Sequence, residues 1–146
     1  IRQKFISFFE KNGHKLVPSS SLVPDSDPSV LLNTAGMQQF KPFYLDSAGV
    51  LSKFASCRLV SIQKCFRTTD IDSVGDDFHL TFLEMLGNFS FGYPRRRTSY
   101  WKREAIGFAW DFLTKEMQID PTRLWVTFFK GDQKMPKDKE VVSAWL

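Results

Sequence analysis

The sequence has little of what marks several protein classes. It contains two cysteines, Cys57 and Cys65, too few for a disulfide framework. Their separation fits no common zinc spacing, and the two histidines, His14 and His79, stand far from them and from each other. No metal site is expected, and the cysteines are expected to be buried or half-buried free thiols in a reducing compartment. No stretch reaches the ~18 consecutive apolar residues of a membrane span, and the N-terminus shows no signal peptide pattern. These absences predict a cytoplasmic protein without a membrane partner. There is no low-complexity tract, no internal repeat and no linker dividing the chain.

What is present is the composition of a globular domain: 42% hydrophobic and 25% charged residues. A chain of 146 residues lies in the size range of one domain and could bury roughly 70% of its unfolded surface. The expected organisation is one domain over 1–146. Fifteen Phe and four Trp form a heavy aromatic load, most of it expected in the core. The net charge of +4 permits an anionic partner such as a nucleotide or RNA without demanding one. The chain opens at Ile1 inside an evident helix and stops at Leu146 inside another, so a fragment of a longer protein is expected.

Periodicity outlines the elements. Ile1, Phe5, Phe8 and Phe9 share one helical face, and Gly13 is a plausible stop. A short strand from His14 to Pro18 is expected, with Pro18, which cannot donate to a ladder, placing it at a sheet edge or ending it. After the Ser- and Pro-rich connection Ser19 to Asp27 comes a mixed helix-and-turn region, Thr34 to Leu45. Two longer strands follow. In Arg58 to Arg67 a mostly apolar face (Val60, Ile62, Phe66) alternates with a mostly polar one (Ser61, Gln63, Cys65, Arg67). His79 to Phe89 returns antiparallel after the polar loop Thr68 to Phe78, and loops of this length tend to be functional. A helix from about Tyr100 to Met117 carries a stripe of Ala105, Ile106, Ala109, Phe112, Leu113 and Met117. Asp120-Pro121 marks a break and a possible new helix N-terminus, Leu124 to Lys130 alternates as a strand, and Asp138 could cap a last helix. The order predicts an α+β fold, an antiparallel β-sheet flanked by helices.

The long hairpin is the best candidate site. Arg67 offers a planar fork of donors suited to phosphate oxygens, and His79 near the loop mouth could add a donor. Phe82 offers an aromatic face, and Glu84 an acceptor for an exocyclic amine. The same residues also permit a plain cross-strand Arg67–Glu84 ion pair beside a core Phe.

Here the sequence resembles a known family. Gln63-Lys64-Cys65-Phe66-Arg67, followed by Thr81-Phe82-Leu83-Glu84-Met85-Leu86-Gly87-Asn88-Phe89-Ser90-Phe91-Gly92, resembles motif 2 of the alanyl-tRNA synthetases, which are class II aminoacyl-tRNA synthetases. Gly13-His14 and Val17-Pro18-Ser19-Ser20-Ser21-Leu22-Val23-Pro24 resemble the motif 1 region. Asn33-Thr34-Ala35-Gly36-Met37-Gln38-Gln39-Phe40-Lys41, Arg103-Glu104-Ala105-Ile106 and Arg123-Leu124-Trp125-Val126-Thr127 also fit. The likeness runs from Ile1 to about Thr127.

The resemblance implies a partial class II catalytic fold, residues 1–146 being its N-terminal part and ending before motif 3. It implies an alanine–tRNA ligase that uses ATP and Mg²⁺ to form alanyl-adenylate, then transfers alanine to the 3′ end of tRNA(Ala). Zinc is expected only in an editing domain absent from this chain. Arg67 would be catalytic at the α-phosphate, His79 would meet the outer phosphates, and Phe82, Glu84 and Met85 would surround adenine. A truncated paralogue that binds a nucleotide or RNA without catalysis is the alternative.

The sequence departs from the family pattern in three places. Leu83 occupies the position where class II enzymes stack an aromatic ring on adenine. Acidic residues, Asp70 and Asp72, follow Arg67 where the family loop is basic and Gly-rich. Tyr93-Pro94-Arg95-Arg96-Arg97-Thr98-Ser99 replaces a short link, and Arg95, Arg96 and Arg97 form either an RNA-contacting loop or an ordinary solvated insertion.

Overall fold

The protein is described by a computed structural model covering residues 1–24, 27–69 and 71–146. These residues form two compact units, Arg2–Ser99 and, apart from Ile1, Tyr100–Leu146.

The first unit begins with α1 (Arg2–Lys11), which buries Phe5, Phe8 and Phe9. Its end follows from the backbone. Gly13 has φ +78°, a conformation costly for residues with a Cβ. The chain there folds back so that His14 N donates to Phe9 O at 2.9 Å and Gly13 N to Glu10 O at 3.0 Å, the paired bonds of a Schellman stop. The next residues form β1 (Lys15–Leu16). The region expected to be mixed becomes a 3₁₀ turn, Gln38–Phe40, continuing into α2 (Lys41–Leu45). The sequence reading missed α3 (Ser47–Phe54), which Asp46 caps by accepting from Ala48 N and Gly49 N. Its apolar pattern is too short to register against the surrounding turn residues.

β2 (Arg58–Phe66) and β3 (Phe82–Ser90) pair antiparallel over nine residues each. The expected hairpin is present, but β3 starts three residues late, and His79 lies in the loop. β1 sits at the edge, one of the two readings Pro18 allowed, and pairs parallel with β2. The α+β class therefore holds while the sheet is mixed, not antiparallel throughout. The connection between β1 and β2 carries α2 and α3, long enough for the crossover that a parallel neighbour requires.

The core lies where α2, α3 and the sheet meet. Phe40, Val50 and Leu59 are fully buried, with Phe89, Phe91, Phe43 and Phe54 packed around them. Cys57 and Cys65 are buried free thiols, as expected, and burial pushes the Cys65 thiol up.

His14 is buried at the end of α1, its Nδ1 3.1 Å from Phe9 O and its ring edge-on to Phe9. Burial, reinforced by the charge of Arg58 and opposed by the Phe9 carbonyl, pushes its pKa down from 6.5 to about 4. Between those values the unfolded chain takes up a proton that the folded one does not. Stability is therefore expected to fall by up to about 3 kcal/mol as pH drops from 7 toward 4. Urea midpoints at pH 7 and 4.5, measured beside His14→Gln, check this. An equal pH slope in both proteins overturns it.

In the second unit, α4 (Lys102–Asp111) runs on into a π-helical turn, Phe112–Glu116. Of the expected stripe only Phe112 is buried, and Ala109 is exposed. Asp120 caps the short 3₁₀ turn Pro121–Arg123, and Asp138 caps α5 (Lys139–Trp145), both as the sequence predicted. Lys102 pairs with Asp138 at 2.8 Å and with Glu140 at 3.2 Å.

Residues 124–130 are not a strand. Their alternation puts large apolar groups on both faces, a pattern that needs cover on both sides and a hydrogen-bonded neighbour. No neighbouring strand pairs with them among the described residues, and Trp125 is 92% exposed. The aromatic load is thus divided: the first unit buries Phe5, Phe8, Phe9, Phe40 and Phe91 and exposes Phe78 and Phe82, while Trp125, Phe128 and Phe129 of the second lie open. Among the described residues no helix is long and apolar enough to cross a membrane.

Candidate functional site

Directly opposed residues of an antiparallel pair point to the same face. Opposite pairs in the β2–β3 register are Leu59 with Phe89, Ser61 with Gly87, Gln63 with Met85 and Cys65 with Leu83. Arg67 extends this row, its N donating to Thr81 O at 2.8 Å. The other face carries Val60 with Asn88, Ile62 with Leu86, Lys64 with Glu84 and Phe66 with Phe82.

The face with more polar groups is the more deeply buried. Ser61, Gln63 and Cys65 are buried, while Ile62, Lys64 and Phe66 are not, the reverse of a simple hydrophobic-in pattern. Residues distant in the chain supply the hydrogen bonds that make this possible. Gln63 Oε1 accepts from Ser20 N (2.9 Å), Ser20 Oγ (3.1 Å) and Gln39 Nε2 (2.9 Å), and Gln63 Nε2 donates to Ser20 O and Lys64 O. Gln39 Nε2 also reaches Ser61 Oγ. Among the described residues no buried side-chain nitrogen or oxygen lacks a partner, so burial of this layer incurs no unpaired-group penalty.

The segment 33–40 crosses this face. A Cβ on Gly36 would lie 3.5 Å from Met85 Cβ and 3.9 Å from Gln63 Cβ, so glycine lets the backbone approach closely. At the open end Arg67 Nε donates to Thr34 O at 3.1 Å, and Asn33 O accepts from Phe66 N at 2.8 Å. Arg67 is half-buried and forms no ion pair among the described residues.

The hairpin brings Arg67 and Met85 to one face and sends Phe82 and Glu84 to the other. The cross-strand Arg67–Glu84 ion pair allowed by the sequence does not form. Glu84 instead pairs with Arg2 of α1, while Phe82 is half-exposed beside Phe66. Leu83 is the β3 residue on the Arg67 face, next to Met85. The period-two alternation was sufficient to find it, as it was for Gln63, and Thr34 and Gly36 needed the fold.

His79 lies on the loop, where its Nδ1 is 2.6 Å from Asp76 Oδ2. Asp76 Oδ1 accepts from Phe78 N and His79 N. The His79 bond, followed by these two amides, pushes the Asp76 carboxyl down. Asp72 is exposed in a short 3₁₀ turn, and Asp70 lies outside the described residues. Beside the Gln63 layer is a cavity of about 400 Å³ whose lining includes Ser20, Asn33, Gln39, Lys41 and Lys53. Asp27 receives Lys41 Nζ at 2.8 Å. Arg95 and Arg97 are exposed, and Arg96 is half-buried.

All 146 residues match the family model described as tRNA synthetases class II (A). The chain belongs to this family. The alanine–tRNA ligase of Rubrobacter xylanophilus is 52% identical over the whole chain, which covers 15% of that protein. The alanine–tRNA ligase of Dehalococcoides mccartyi is 48% identical over 99% of the chain, and that of Thermus thermophilus 47% over 92%. In both cases the chain again covers 15% of the relative. For a class II synthetase chain, the segments that converge on the candidate site are those that carried the resemblance: Ser19–Ser21, Asn33–Gln39, Gln63–Arg67 and Leu83–Gly87.

Proposed function

We propose that residues 1–146 are the N-terminal part of the catalytic domain of a cytoplasmic alanine–tRNA ligase, contributing motifs 1 and 2. The observation that carries the reading is Arg67. It is an arginine on the polar face of a long hairpin, half-buried, oriented by the Thr34 carbonyl and free of any described carboxylate partner. The high identity to proteins named alanine–tRNA ligase supports the choice of amino acid.

In this reading a carboxylate oxygen of alanine attacks the α-phosphorus of ATP, and the bond to the bridging oxygen breaks with loss of pyrophosphate. The terminal ribose hydroxyl of tRNA(Ala) then takes the alanyl group, releasing AMP. Arg67 holds an α-phosphate oxygen and stabilises the charge that grows there in the first step. His79 serves the outer phosphates and Met85 lies beside the base, with Leu83 the apolar surface under it. Phe82 and Glu84, on the opposite face, support β3 from behind, with Glu84 tied to α1. Mg²⁺ would be held chiefly by the phosphate oxygens of ATP, with few protein ligands.

The test is ATP–pyrophosphate exchange by the complete gene product with alanine, glycine or serine, followed by charging of a tRNA(Ala) transcript. Exchange that depends on alanine, with charging, is the expected result. Saturable Mg-ATP or RNA binding without exchange would replace the proposal with the non-catalytic binding module.

A further inference from the structure

The arginine run from Arg95 to Arg97 has no part in the chemistry proposed above. It lies on a loop with a defined internal structure. Gly92 has φ +85° and starts a turn in which Arg96 N donates to Gly92 O at 3.0 Å. Ser99, itself buried, donates its N and its Oγ to Arg96 O at 3.0 and 2.6 Å. The aliphatic stem of Arg96 lies over Gly92, close enough that a Cβ there would fall 2.5 Å from Arg96 Cγ.

The loop is also anchored from outside. Arg58, on β2, donates through Nε to Thr98 O and through Nη1 to Asn12 O at 3.1 Å. One guanidinium therefore ties the loop to the end of α1, beside the exposed Lys11. At the other end Phe91 N donates to Cys57 O at 3.0 Å. These bonds reduce the ordering cost that a mobile basic insertion would meet on binding.

The charge of Arg95, Arg96 and Arg97 is not ion-paired among the described residues, and residues 92–99 contain no acid. Asp46 adjoins Ser47, whose hydroxyl comes 3.3 Å from the Gly92 Cβ position, but its Oδ1 caps α3 by accepting from Ala48 N and Gly49 N, and it forms no ion pair with these arginines. Adjacent like charges on an ordered loop repel one another, and a polyanion relieves that repulsion. Guanidinium forks fit phosphate oxygens in two-point contacts, and the half-exposed Tyr93 adds an aromatic face beside them.

We infer that the loop Gly92–Ser99 is a preformed docking surface for the phosphodiester backbone of a folded RNA, contacted chiefly by Arg95 and Arg97. That the polyanion is the RNA substrate rests on the ligase reading above. The geometry and charge of the loop do not depend on that reading.

The test uses the complete gene product carrying Arg95→Gln and Arg97→Gln together. Both side chains are exposed, and Arg96, which packs inside the loop, is kept. A control with Lys134→Gln and Lys139→Gln makes the same change in net charge at exposed positions elsewhere. Filter binding of a tRNA(Ala) transcript between 50 and 200 mM salt is expected to weaken about tenfold in the arginine variant, with a salt slope smaller by about two. The control should bind like wild type, and alanine-dependent pyrophosphate exchange without RNA should be unchanged in both. Unaltered binding by the arginine variant, or an equal loss in the control, overturns the inference. A wild-type protein that binds RNA through these arginines but exchanges no pyrophosphate upholds the surface and overturns the ligase reading instead.

Discussion

Arg67→Ala is expected to slow alanine-dependent ATP–pyrophosphate exchange by about 10²–10³-fold in the complete gene product, the usual cost of removing one preorganised donor from a developing charge. The loss should fall mainly on kcat, because the interaction strengthens as negative charge accumulates on the α-phosphoryl oxygens. Arg67→Lys should recover only part of the rate. A lysine keeps the charge but cannot reproduce the planar fork, nor the Nε donation to Thr34 O that aims the guanidinium. Stability should change little, since the side chain is half-buried and loses one hydrogen bond worth about 1 kcal/mol. Exchange within threefold of wild type would remove Arg67 from the reaction. Melting at a much lower temperature would attribute any slower rate to the fold.

Phe40→Ala should unfold the first unit far more readily, by about 3–5 kcal/mol, the cost of removing a buried aromatic ring and leaving the cavity. Phe40 is wholly buried, with its ring centroid 4.5 Å from that of Phe89 and 6.0 Å from those of Phe54 and Phe91. No neighbour can collapse into the gap without breaking another aromatic contact. The change is large against a total stability of roughly 5–15 kcal/mol for an ordinary domain. Urea unfolding should show a lower midpoint at an unchanged slope, and Phe40→Leu should lose less. The effect reaches the site as well, because Phe40 ends the segment 33–40 that covers Gln63 and Met85. A loss below about 1 kcal/mol would mean that Phe40 is not the centre of this core.

Several features were readable from local chemistry. The Phe stripe and Gly13 define α1, Asp120 and Asp138 announce their caps, and two alternating runs around a polar loop give the hairpin. Each depends on residues within a turn or a strand of one another. Failures occurred where an element depends on distant partners. Residues 124–130 have the alternation of a strand, but a strand exists only when another pairs with it, and none does among the described residues. The short strand β1 was expected, but its parallel pairing with β2 was not legible, because that partner lies beyond two intervening helices.

The candidate site divides in the same way. The sequence by itself determined the residue types, their spacing, and the parity that separates Leu83 and Met85 from Phe82 and Glu84, since side chains in a strand alternate whatever lies around them. Only the tertiary structure decided which face would be buried and what would meet it. Periodicity cannot show that Ser20, Asn33 and Gln39 return to satisfy the polar layer around Gln63, and without those bonds burial of that face would be prohibitive. Nor can it show that Arg2 takes the carboxylate of Glu84, while Thr34 supplies the carbonyl that orients Arg67. These partnerships join residues far apart in the chain, and their free energy exists only once the chain has folded.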